Sequence, residues 1–181
     1  MKNMHKKVLW ITRTAIFIAL LVVLQAVTMN FGNTIITGAV NNLMFIISVM
    51  TSGPATGITV ALISPFIAKL FGIGPFWSLI PFIAIGNIVL VLIWYFIGNR
   101  NLRHKIISYV IALVVAALAK ASILYIGIVR IAIPFLLDIP EQQAAVLSNM
   151  FSISQFITAS IGGVCATIIL STLKKALNRE L

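Results

Sequence analysis

Apolar residues run along this chain in six long blocks, separated by turn residues and clusters of basic side chains. The first block extends from about Val8 to Met29 and ends in a polar, glycine-containing stretch, Asn30 to Gly38. The second, about Ala39 to Met50, is short for a crossing unless the preceding stretch lies partly in the membrane. Thr51-Ser52-Gly53-Pro54 is a turn signal. A third block covers about Ala55 to Phe71, and Pro65 inside it predicts a kink or a broken helix. Gly72-Ile73-Gly74-Pro75 forms the next turn, and the fourth block runs from about Trp77 to Ile97 with Pro81 and Gly86 inside it. A basic loop follows, holding Asn99, Arg100, Asn101, Arg103, His104 and Lys105. The fifth block, about Ile106 to Leu137, is broken by Asp138-Ile139-Pro140-Glu141, and the sixth covers about Ala144 to Leu173 before a basic tail. About 20 apolar residues take a helix across the hydrocarbon core. The pattern therefore predicts an all-α membrane protein, a bundle of six transmembrane helices forming one integral membrane domain over residues 1–181. No internal repeat suggests an inverted-repeat transporter.

Composition removes the soluble readings. Hydrophobic residues make up 61% of the chain and charged ones 9%, against roughly 45–50% and 25% in a soluble domain. So little polar surface could not cover so much apolar surface. The net charge of +10 does not point to nucleic acid, because the basic residues form no continuous patch. They sit at the ends of apolar blocks: Lys2, Lys6 and Lys7; Arg100, Arg103 and Lys105; Lys174, Lys175 and Arg179. With six spans all three clusters fall on one side, which the positive-inside rule makes cytoplasmic, together with both termini. Asp138 and Glu141 then fall outside, whereas five or seven spans would split the clusters. The basic start of the chain resembles a signal peptide, but the run from Val8 to Met29 is long and carries Arg13 in its first turns, which favours a retained span.

Candidate chemistry is sparse. The acids are Asp138, Glu141 and Glu180, none inside a block, and the histidines, His5 and His104, both lie in basic segments. No paired carboxylates, nucleophile–base pairing or metal spacing is visible, so neither an enzyme nor a cofactor is expected. There is no nucleotide-binding P-loop, and no intramembrane acid or histidine for a proton relay.

The intramembrane cations say more. Lys120 lies about fourteen residues into the fifth block, roughly 20 Å from its cytoplasmic end. A charge at that depth is expensive and should face a cavity or a partner, unless it snorkels to the outer headgroups. Arg130 lies ten residues further on, and Lys69 ends the third block. With no acid to pair with them, an anionic group on a ligand is the natural partner. Ser148, Ser152 and Gln155 fall on one helical face, with Asn149 beside it. Asn87 follows Gly86, Asn41 and Asn42 open the second block near the outer surface, and Trp77 opens the fourth. Lys69, Trp77, Asn87, Lys120, Arg130, Asn149 and Gln155 would all lie in or near the outer half, as the wall of a pocket for a small polar molecule. Ala15 and Ala19, four apart in the first block, would let another helix approach closely.

The chain resembles the substrate-binding S components of energy-coupling factor (ECF) vitamin transporters. The resemblance covers essentially the whole chain. It rests on Thr12-Arg13-Thr14-Ala15-Ile16-Phe17-Ile18-Ala19, on Ser64-Pro65-Phe66-Ile67-Ala68-Lys69-Leu70 and on Pro81-Phe82-Ile83-Ala84-Ile85-Gly86-Asn87. It implies a protein of a prokaryotic plasma membrane that captures a vitamin or related micronutrient from outside. Such a component then associates with a transmembrane T component and two cytoplasmic ATPase subunits, which drive uptake. Ala15 and Ala19 would form the docking face for the T component, and Asn30 to Gly38 a lid over the pocket. Lys120 and Arg130 favour a ligand with a carboxylate or phosphate, such as pantothenate, over cationic thiamin. Two other readings stay open: a self-sufficient small transporter or channel, and a non-transporting membrane scaffold.

Overall fold

The computed structural model describes residues 2–72, 76–100 and 105–177, with side chains throughout except at 2, 3, 5 and 173–177. Ile73-Gly74-Pro75 of one expected turn, Asn101 to His104 of the basic loop, and Arg179 and Glu180 lie outside the described residues, as do the side chains of Lys2, His5, Lys174 and Lys175. Among the described residues the chain is helical almost throughout and has no strand. In lipid there is no water to pair exposed backbone groups, so each rod must satisfy its own.

The helices are α1 (Lys2–Met29), α2 (Thr34–Ser52), α3 (Pro54–Leu70), α4 (Trp77–Gly98), α5 (Lys105–Leu136), α6 (Glu141–Met150) and α7 (Ile153–Leu177). Helices α6 and α7 follow each other as one rod, so six rods build the bundle. Five are long and apolar enough to cross a membrane, and α3, with 17 residues, is a shorter apolar helix. The chain is thus a multi-pass membrane protein.

Three local features depart from the sequence expectation. Helix α2 starts at Thr34, not near Ala39, because Asn33 caps it: its Oδ1 accepts the Ile35 N–H at 2.9 Å. The expected loop over Asn30 to Gly38 therefore shrinks to Asn30–Asn33. Helix α3 runs unbroken through Pro65. The last rod breaks at Phe151-Ser152, where Phe151 (φ −107°, ψ 16°) ends α6, so Ser148, Ser152 and Gln155 do not share one continuous face.

Helices α4 and α5 each contain a π-helical stretch, Trp94–Gly98 and Tyr125–Ala132. Helix α2 packs against α1, α3 and α7, and α5 packs against α4 and α7. Gly162 on α7 allows a close approach to α2. A Cβ there would lie 2.6 Å from the Ala39 carbonyl oxygen and 2.8 Å from Asn42 Cβ. The larger apolar core includes Val49, Leu90, Val91, Trp94, Tyr109, Ala112, Ala116 and Ala166. A smaller one, around Leu79, Leu124, Ile128, Leu147 and Phe151, ties α4, α5 and α6 together beside the cavity described next.

Candidate functional site

A cavity of about 360 Å³ lies among the end of α1 (Met29), the start of α2 (Asn33, Thr34), the end of α3 (Ala68, Lys69), the entry to α4 (Phe76, Ile80) and the junction of α6 and α7 (Met150, Phe151). It reaches from the exposed residues Asn33, Thr34 and Phe76 down to the buried Asn42, Asn87 and Lys120.

Lys120 is the buried cation of this wall. It is 4% exposed and turns into the bundle instead of snorkelling outward. Its Nζ donates to Asn42 Oδ1 at 2.6 Å and lies 5.7 Å from the centroid of the Phe45 ring. Asn42, itself buried, donates from Nδ2 to Thr158 Oγ1 at 3.4 Å, and Thr158 Oγ1 donates to the Gln155 carbonyl at 3.1 Å. One amide thereby ties α5, α2 and α7 together. The acids among the described residues, Asp138 and Glu141, are both exposed. The buried ammonium is therefore held by a neutral amide and a ring face, and not by a carboxylate. A charge so placed is costly to keep unless something else compensates it.

Neutral polar groups complete the wall. Asn87 is buried and donates from Nδ2 to the Ala61 carbonyl at 3.4 Å. Gln155 donates from Nε2 to the Met150 carbonyl at 3.0 Å, bridging the break between α6 and α7. Ser64 accepts from Gln25 Nε2 at 3.2 Å. Asn41 also lines the cavity, and its Oδ1 is buried without a hydrogen-bond partner; such a group costs about 1–3 kcal/mol until one is supplied. Phe45, Phe76, Ile80, Ile83, Met150 and Phe151 supply apolar walls.

Four of the residues singled out from the sequence meet here: Lys120, Asn87, Gln155 and Lys69, the last half-buried in the final turn of α3. Three do not line the cavity. Arg130 is exposed, with its guanidinium 5.6 Å over the Tyr125 ring. It lies within the π-helical stretch, whose i→i+5 bonding shifts side chains out of the ordinary helical phase. Asn149 is exposed on α6, and its carbonyl accepts the hydroxyls of Ser152 and Ser154. Trp77 is 56% exposed at the start of α4, and its neighbour Phe76 lines the cavity instead. Ala15 and Ala19 lie exposed on α1, away from the cavity.

Sequence reasoning passed over Phe45 and Ser64, and it set Asn42 near the outer surface and outside the candidate wall. The signal was there: Gly38, Asn42 and Phe45 fall at i, i+4 and i+7 on one face of α2. The late start assigned to that helix hid it. Among the described residues no group of three or more His, Cys, Asp or Glu comes together that could hold a metal ion. The chain matches no known protein family, no curated protein and no solved structure.

Proposed function

We propose that this chain is the substrate-capture subunit of an ATP-driven importer of the energy-coupling factor type. It takes a small vitamin or related micronutrient from the outer side of a prokaryotic plasma membrane. A T component and two cytoplasmic ATPase subunits complete the transporter. The observation that carries the reading is a cavity of about 360 Å³ with a buried ammonium, Lys120, that has no carboxylate among the described residues to neutralise it. Small-molecule sites run to roughly 300–1,000 Å³, with apolar walls and a few convergent polar groups. An anionic ligand would supply the missing counter-charge.

Charge placement supports capture from outside. Lys6 and Lys7 lie at the end of α1 away from the cavity-lining Met29, and Arg100 follows the end of α4 away from Phe76; the positive-inside rule would put those ends in the cytoplasm. The sequence carries no nucleotide-binding loop, in keeping with ATPases on separate chains. The apolar layer between the cavity and the basic end, with Leu90, Val91, Trp94, Ala112 and Ala116 at 1% exposure or less, favours binding over conduction through the chain alone.

Reconstitution tests this reading. The purified chain in liposomes is expected to bind its ligand without moving it across the bilayer. Co-reconstitution with a T component and the ATPase pair is expected to give uptake that requires ATP. Uptake by the chain alone would establish a self-sufficient transporter and overturn the proposal.

A further inference from the structure

We infer that the ligand of this cavity is a monocarboxylate whose remaining body is uncharged and carries hydroxyl or amide groups. The inference rests on the capture reading and narrows it to a class of compound.

The charge argument comes first. An ammonium has three N–H donors. One of those on Lys120 is taken by Asn42 Oδ1, and two remain for the paired oxygens of a carboxylate. Lys69, the other cation on the wall, already has an interaction of its own and sits in the last turn of α3. It lies five residues, about 7.5 Å along the helix, from Ser64. A phosphate monoester would bring nearly two charges and three acceptor oxygens. Sites for such groups use arginine forks or the free N–H groups of a helix start. Among the described residues the cavity has no arginine on its wall. Of the helix starts at the wall, that of α2 is capped by its own Asn33. A second negative charge would be buried among Phe45, Phe151, Ile80 and Ile83 with only Lys69, already engaged, to meet it.

The neutral wall fixes the rest of the ligand. Asn41, Asn87 and Gln155 present amides, and Ser64 and Thr37 present hydroxyls. Groups of this kind both donate and accept, so they match hydroxyl and amide groups and offer nothing to a second charge. Asn41 makes the point sharpest: its carboxamide oxygen is buried at the wall and lacks a donor. A ligand O–H or N–H would provide one after rotation of that amide.

The test uses the full chain in detergent and defined probes. Hydroxylated or amide-bearing short-chain carboxylic acids are each compared with the primary amide, methyl ester and phosphate monoester of the same skeleton, by thermal shift and calorimetry. In parallel, small molecules carried through purification are identified by mass spectrometry. The acid of a binding skeleton is expected to bind about 10–100-fold more tightly than its amide or ester. Lys120→Met should erase that preference while the unliganded protein keeps or gains thermal stability, since the buried charge is gone. Asn87→Leu should reduce the advantage of a hydroxylated acid over its deoxy analogue. Esters, amides or phosphate monoesters binding as tightly as acids would overturn the inference and leave capture standing. If no probe binds and no small molecule co-purifies, both fall.

Discussion

The bundle has two halves built on opposite rules. Toward the Gly98 end of α4, Trp94 sits fully buried against Tyr109, with ring centroids 6.0 Å apart, among Val49, Ala112, Ala116 and Ala166. Toward the other end the same rods carry Asn41, Asn42, Asn87, Lys120 and Gln155 around an open volume. Lipid tails are as apolar as leucine, so burying apolar side chains between helices gains little from water release. The first half is held by close packing of small against large residues. The second gives up part of that packing: a smaller apolar cluster around Leu124 and Phe151 flanks the opening, and across it the rods are joined by a few hydrogen bonds, chiefly those of Asn42. The difference teaches where to look for function: nothing in the folding of a membrane bundle requires a buried lysine beside a void.

The contrast can be broken from either side. The largest effect is expected from Trp94→Ala in the packed half. It should leave a cavity and lower stability by about 3–5 kcal/mol, read as a drop in the thermal midpoint in detergent. An unchanged midpoint would mean that this half is not held by packing. Gly162→Val should come next. The new side chain must push α7 from α2 at the Ala39 carbonyl and at Asn42, costing about 1–3 kcal/mol and weakening ligand binding as well. Loss of stability with full affinity would uncouple the two halves.

A smaller and more pointed change is Asn42→Asp, which gives Lys120 a carboxylate from the protein itself. The ligand must then compete with it, so affinity is expected to fall by about tenfold while the unliganded protein does not lose stability. Unchanged affinity, measured by calorimetry, would remove Lys120 from the site. The smallest effects belong to the outside of the bundle. Ala15→Trp or Ala19→Trp should shift stability by less than about 0.5 kcal/mol and spare ligand binding, yet block co-purification with the T component. Equal loss of binding and association would refute the docking assignment.

The helical blocks were largely legible because each apolar run must satisfy its own backbone in lipid. Lys120 and Asn87 were legible for the complementary reason, since polar groups at that depth need an explanation. Asn42 was not. The polar look of Thr34 to Gly38 suggested a loop, which placed Asn42 near the surface, whereas the helix begins at Thr34 and carries Asn42 about 12 Å further along its axis. Arg130 and Asn149 failed for a different reason. Projecting a sequence at 3.6 residues per turn assumes an uninterrupted helix, and the π-helical stretch of α5 and the break after Met150 each reset that phase. Trp77 shows that adjacency is no guide to facing: Phe76, one residue earlier, took the wall position.

The packed layer around Trp94 has an electrical consequence. If the cavity fills with water from the side on which it opens, it brings the potential of that side down to the level of Lys120. The membrane voltage, worth about 2.3 kcal/mol per charge for each 100 mV, then falls mainly across the thin dry half. That half acts as a dielectric, and the snugness of Leu90, Val91 and Trp94 lets a chain with an open mouth and a charged floor rest in an energised membrane without passing current.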